Sequence, residues 1–154
     1  MASALPLIVL LCLVVGQLDV SAAADCPPGW SLFGSRCFIV QTNELTMADA
    51  ERNCISIGGN LASIHNINDH NWISGMVKKA LGSDKWAWIG LSDAIQEGKW
   101  LWTDGSRFVF SRWGSGEPSN KGDKEHCTHI NYIGEYWNDY LCDAKLPSVC
   151  VGGR

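Results

Sequence analysis

Glu117, Pro118 and Ser119 stand together, Glu125 follows two residues before Cys127, and Trp137-Asn138-Asp139 comes just ahead of Cys142. Within this stretch Glu117, Glu125 and Asp139 offer three carboxylates, Asn138 a side-chain amide and Ser119 a hydroxyl. All are hard oxygen donors. Calcium takes about six to eight oxygens, chiefly from carboxylates and amide carbonyls, so the chemistry of this set is calcium binding. Pro118 fixes φ and stiffens the loop carrying Glu117 and Ser119, and an X-Pro bond is open to the cis form.

The remaining reactive residues offer less. His126 and His129 have an H-x-x-H spacing, but Cys127 between them is expected in a disulfide and no Glu occupies the motif, so the pair does not read as a zinc site. His65 and His70 read as surface-loop and helix-start residues. Glu117 and Glu125 have the residue types of a glycosidase pair, yet their company of further oxygen donors makes metal ligation the more economical role. The chain has no nucleophile elbow, no Cys–His arrangement with a free thiol and no glycine-rich phosphate loop. It reads as a binding protein, not an enzyme.

Elements must hold these residues in place. Cys26-Pro27-Pro28-Gly29-Trp30 and Arg36-Cys37-Phe38 read as a small hairpin whose cysteines are close enough to pair. Thr46 with Asp49 resembles a capping box in which Asp replaces the usual Glu. The helix that follows is expected to set Ala48, Cys54 and Ile55 along one side and to end at Gly58-Gly59. Asn68 is expected to cap a second helix with the stripe Trp72, Ile73, Met76, Val77 and Ala80, stopped by Gly82. Both stripes read as core.

Beyond Lys85 the pattern changes to short aromatic and β-branched pieces punctuated by Gly, Asp and Ser. Trp86–Leu91 reads as a strand, Trp100 and Trp102 alternate on another, and Phe108-Val109-Phe110 is a third apolar piece. Tyr132 and Tyr136-Trp137 flank a turn at Gly134, and Ser148–Val151 closes the chain. Two helices followed by short strands predict an α+β domain. The long polar loops between Ser92 and Asn131 are the expected binding region.

Compartment follows from the first residues and the cysteines. Leu5–Val15 is apolar, too short to span a bilayer, and Ser21-Ala22-Ala23-Ala24 follows with an A-x-A pattern. Residues 1–24 therefore read as a signal peptide and residues 25–154 as one secreted domain. Removing the leader takes away Asp19 and Cys12, leaving 12 basic and 15 acidic residues, a net charge near −3, and six cysteines. Weak acidity without a basic cluster argues against nucleic acid or anionic lipid as the main partner, and no other segment could span a membrane, so no membrane insertion is expected. Six cysteines in an oxidising compartment read as three disulfides, with 15 connectivities open to sequence alone. No Asn-x-Ser/Thr sequon is present.

The ordered run Asn60-Leu61-Ala62-Ser63-Ile64, Trp88-Ile89-Gly90-Leu91-Ser92-Asp93, Glu97-Gly98-Lys99-Trp100, Trp102-Thr103-Asp104-Gly105, Trp113 and Gly116-Glu117-Pro118 resembles the C-type lectin-like domain family. The resemblance covers residues 26–150, with the cysteines in step, and is greatest to small secreted fish lectins, a group that includes the type II antifreeze proteins. It implies the long form of the fold, with two helices, short antiparallel strands and the pairs Cys26–Cys37, Cys54–Cys150 and Cys127–Cys142.

The resemblance also implies roles. Glu117, Ser119, Glu125, Asn138 and Asp139 fall on the family's calcium ligands, and Glu117, Ser119, Glu125 and Asn138 on the groups that hydrogen-bond sugar hydroxyls. Ser119 departs from the family's Asn: one hydroxyl on a short stem does only part of an amide's double work. Asn120 is an alternative donor if the loop shifts by one residue. Glu at the head of the motif implies mannose-type glycans, where Gln-Pro-Asp would imply galactose. An accessory calcium site would use Asp93 and Glu97, but Asn120 and His126 stand where carboxylates are expected, so the two acids read as solvated loop charges. The function implied is calcium-dependent recognition of glycans or pathogens, with any homo-oligomer held non-covalently because no cysteine is spare. Two other functions remain open: ice binding, against which the absence of that group's two extra disulfides counts, and calcium-free binding of a protein partner.

Overall fold

The computed structural model describes residues 25–82 and 85–152, so the expected signal peptide, residues 1–24, lies outside the described residues. The order of elements is β1 (Ser31–Phe33), β2 (Arg36–Leu45), α1 (Met47–Ser56), β3 (Gly59–Leu61), α2 (Ile67–Leu81), β4 (Ala87–Ser92), β5 (Leu101–Trp102), β6 (Glu125–Tyr132), β7 (Tyr136–Leu141) and β8 (Leu146–Gly152). This is the expected α+β class.

Thr46 starts α1 by accepting the Asp49 N–H on its Oγ1 at 3.3 Å. The helix buries Met47, Ala50 and Cys54. That corrects the expected face, since Ala48 is exposed and Ile55 is 56% exposed. Cys54 must reach Cys150 in β8, and residues four and seven before it share its side of a 3.6-residue helix. Gly58, with φ +96°, then turns the chain out of the helix.

The second helix is capped by Asn66, not Asn68: the Asn66 Oδ1 accepts the Asp69 N–H at 2.9 Å. This start places Asp69 in the first turn, where Arg36 reaches it with an Nη2–Oδ2 distance of 2.8 Å. His70, Ile73, Ser74 and Val77 are buried, Trp72 and Met76 are half-buried, and Ala80 is exposed, which narrows the expected stripe. Gly82 ends α2 with φ +100° and its N–H on the Lys78 carbonyl at 3.0 Å.

The strands form a sheet in the order β1-β2-β8-β4-β6-β7, with β3 on β8 and β5 on β4. The β4–β8 pairing is parallel; the others are antiparallel. Gly90 in β4 permits close approach: a Cβ there would lie 2.6 Å from Thr103 Oγ1 and 2.8 Å from the Leu61 carbonyl oxygen. Phe108-Val109-Phe110 forms no strand. The chain there is held instead by the Trp137 N–H donating to the Arg112 carbonyl at 2.8 Å and by Phe110 packing edge-on against Trp137.

Trp137 is fully buried in the core with Trp102, Phe38, Ile64, Ile73, Val77 and Ile89. Cys26–Cys37, Cys54–Cys150 and Cys127–Cys142 are bonded, as the resemblance implies. Among the described residues no helix is long and apolar enough to cross a membrane.

Candidate functional site

The hairpin of β6 and β7 brings Glu125 beside Asn138 and Asp139. Its register pairs His129 with Asn138 and Thr128 with Asp139, then shifts between Cys127 and Glu125. The Cys127–Cys142 bond fastens the open end of the hairpin.

The loop that faces these residues turns through left-handed backbone at Asn120 (φ +44°), Gly122 (φ +66°) and Asp123 (φ +56°). Asn, Asp and Gly are the residues that visit this region most readily. The turn aims its donors at the hairpin. Ser119 N–H and Asn120 N–H donate to the two carboxylate oxygens of Asp139 at 2.9 and 2.7 Å. Lys121 N–H and Ser119 Oγ–H donate to Glu125 Oε2 at 3.1 and 3.2 Å. Asn120 Oδ1 accepts the Glu125 N–H at 3.3 Å, so Asn120 closes the loop rather than replacing Ser119. Hydrogen bonds to ionised oxygens are the stronger kind, and together they tie the loop to both acids.

Asn138 is oriented from beneath. The Ile130 carbonyl, 3.2 Å from His129 Nδ1, only accepts, so Nδ1 carries the ring proton. The bare Nε2 then accepts from Asn138 Nδ2 at 3.1 Å. His129 is fully buried, and burial lowers its pKa to about 4, which keeps the ring neutral near pH 7. Trp86 stacks on it with ring centres 4.3 Å apart. One hydrogen of the Asn138 amide is committed to the ring, which leaves its carbonyl oxygen and its other N–H for ligands.

Glu117 is the unsatisfied member. It follows Gly116, precedes Pro118 through a cis bond, and its Oε2 is buried with no hydrogen-bond partner. Burial pushes its carboxyl above the usual range; Ser119 opposes this, and the adjacent Asp139 carboxylate adds to it. Among the described residues, none of Glu117, Glu125 and Asp139 is paired with Lys, Arg or His. A buried, partnerless carboxylate oxygen beside two further uncompensated acids is a donor set that fits a hard divalent cation.

Glu117, Ser119, Glu125 and Asp139 thus share one neighbourhood, with Asn138 adjoining it. Among the described residues, the set of three metal-ligating groups that lies closer still, with all ligand atoms within 4.8 Å, is Asp93, Glu97 and His126.

Two sequence expectations need correction. Asp93 is not a solvated charge: it is 1% exposed and accepts the Gly98 N–H at 2.8 Å, because its position at the end of β4 turns it under the following loop. His126 faces Asp93, and His129 faces Asn138. His70 is fully buried, and its Nδ1 accepts the Trp137 Nε1–H at 3.1 Å. The signal for the last was present, as His70 lies on the helical stripe of Ile73 and Val77.

Residues 43–152 match the family described as "Lectin C-type domain". The chain is 43% identical over 130 residues to the galactose-specific lectin nattectin of Thalassophryne nattereri, spanning 84% of this chain and 82% of that protein. It is 46% identical over 132 residues to the lactose-binding lectin l-2 of Anguilla japonica, spanning 82% of this chain and 77% of the relative. A solved calcium-independent type II antifreeze protein superposes with a TM-score of 0.75 at 32% identity, covering 84% of this chain and 95% of the other.

Proposed function

The chain belongs to the C-type lectin family, and from that footing we propose that it is a secreted, calcium-dependent lectin whose ligands bind at Glu117, Ser119, Glu125, Asn138 and Asp139. Its family and its relatives are lectins rather than enzymes, so Glu117 and Glu125 are ligands and not a glycosidase pair. The single observation that carries the proposal is the buried, partnerless Oε2 of Glu117 among acids that no basic side chain neutralises in the described residues. Secretion is supported by three disulfides and by the apolar run ahead of Ala22–Ala24.

Calcium, when bound, supplies open coordination positions for two vicinal sugar hydroxyls. The chain's own residues select which hydroxyls fit. Glu117 Oε2 accepts from one hydroxyl. Asn138 keeps one amide hydrogen for a second, its other being held by His129. An acceptor at the head of the motif and a donor across from it favour mannose-type sugars. A galactose-type ligand is the second reading, favoured by what the two relatives are named for binding. Useful avidity from such shallow contact requires several sites held together, here by non-covalent association.

The test is retention on mannose and galactose columns in calcium and in chelator. Retention that needs calcium, and elution by mannose at lower concentration than galactose, supports the proposal. Calcium-dependent retention reversed in favour of galactose leaves the site and overturns the mannose assignment. No retention on either, with thermal hysteresis in ice assays, replaces both with ice binding.

A further inference from the structure

We propose that Asp93, Glu97 and His126 form a separate metal site that takes zinc. His126 Nδ1 lies 3.0 Å from Asp93 Oδ1 and 3.3 Å from Glu97 Oε2, and all three ligand atoms fall within 4.8 Å of one another. A tetrahedral ion with bonds of about 2.0–2.1 Å to nitrogen and oxygen has ligand–ligand edges of about 3.3 Å. The two measured separations already match that edge. The third edge, between Asp93 and Glu97, lies within 4.8 Å.

Two of the three ligands are held by groups outside the set. Asp93 is 1% exposed, and its Oδ2 accepts the Gly98 N–H at 2.8 Å, which turns Oδ1 toward the imidazole. The His126 carbonyl accepts both the Asp93 N–H at 3.1 Å and the Ser92 Oγ–H at 2.7 Å, fixing the strand that presents the ring. Outer hydrogen bonds of this kind orient ligands and raise metal affinity. The Glu97 side chain is 55% exposed, so one side of the cluster opens to solvent for entry of the ion and for a water in the fourth position.

The donor types select the metal. Calcium takes about six to eight oxygens and no imidazole, whereas one imidazole with two carboxylates is a set that first-row divalent ions favour. Neither acid has a Lys or Arg partner among the described residues, so a dication compensates both. This site shares no ligand with the Glu117–Asp139 set. The H-x-x-H spacing plays no part in it either, since His129 faces Asn138.

The experiment is calorimetric titration of the disulfide-intact protein with zinc chloride, alone and in saturating calcium, without sugar. Wild type is expected to bind one zinc per chain in both conditions. The solvent-facing Glu97→Gln is expected to weaken zinc by about tenfold or more, and His126→Asn to remove it, with thermal unfolding confirming that each variant folds. Cobalt in place of zinc should give the visible bands of a tetrahedral ion in wild type and not in His126→Asn. No zinc uptake, uptake unchanged in both variants, or full displacement by calcium overturns the proposal. None of these readouts depends on sugar binding, so the lectin assignment stands or falls separately.

Discussion

Asn138 donates from its side-chain Nδ2 to the unprotonated Nε2 of His129 across 3.1 Å, and this fixes which end of the amide faces the loop of Ser119. His129→Phe keeps the stacking surface under Trp86 but removes the acceptor, so the amide is free to rotate. The expected result is a calcium affinity about tenfold lower, while His129→Gln, which restores an acceptor, recovers part of it. Calcium titrations of both variants check this, and equal affinities would show that the imidazole does not position Asn138.

Ser119 spends its hydroxyl on Glu125 Oε2 at 3.2 Å and its N–H on Asp139 at 2.9 Å. An amide at this position adds both a carbonyl and a donor. Ser119→Asn is therefore expected to tighten calcium and mannose together by about 1 kcal/mol, several-fold in affinity. Glu117→Gln with Ser119→Asp exchanges acceptor and donor, and should move preference toward galactose. Competition assays with the two sugars on all three proteins measure both effects.

Calcium and sugar are expected to share ligands. Glu125→Ala should therefore abolish both activities together, and chelation should reproduce the loss in wild type. Sugar binding that persisted in Glu125→Ala would separate the two sites.

His70 should make the fold acid-sensitive. Its pKa is lowered to about 4 by burial, from 6.5, with Arg112 acting in the same direction. The unfolded chain thus binds more protons between these values, and stability falls as pH drops from about 6.5 toward 4. At about 1.4 kcal/mol per unit, this one residue accounts for roughly 2–3 kcal/mol by pH 4.5. Denaturant titrations at pH 7 and pH 4.5 measure it, with His70→Gln expected to flatten the difference.

The Cys54–Cys150 bond closes a segment of 96 residues between α1 and β8. Replacing both cysteines by serine should cost about 4–5 kcal/mol through the greater freedom of the unfolded chain. Urea unfolding midpoints report it, and a loss near zero would mean that the packing of α1 on β8 alone holds this junction.

The sequence determined much of this protein by local means. Thr46 and Gly82 mark helix ends because caps depend on residues only a few positions away. The β6–β7 turn around Gly134 is legible for the same reason, and so are the types of oxygen donor between Glu117 and Asp139. Two local readings still missed, since Asn66 competes with Asn68 for the same cap and Cys54 rotates α1 to meet its partner strand.

Tertiary structure decided the rest, because it depends on contacts that no spacing encodes. His70 meets Trp137 across 67 positions and becomes a neutral core residue. Asp93 and His126 are 33 positions apart and meet only because β4 lies beside β6. A carboxylate's ionisation and its value as a ligand depend on what replaces its water, and that is settled by which strands pack around it.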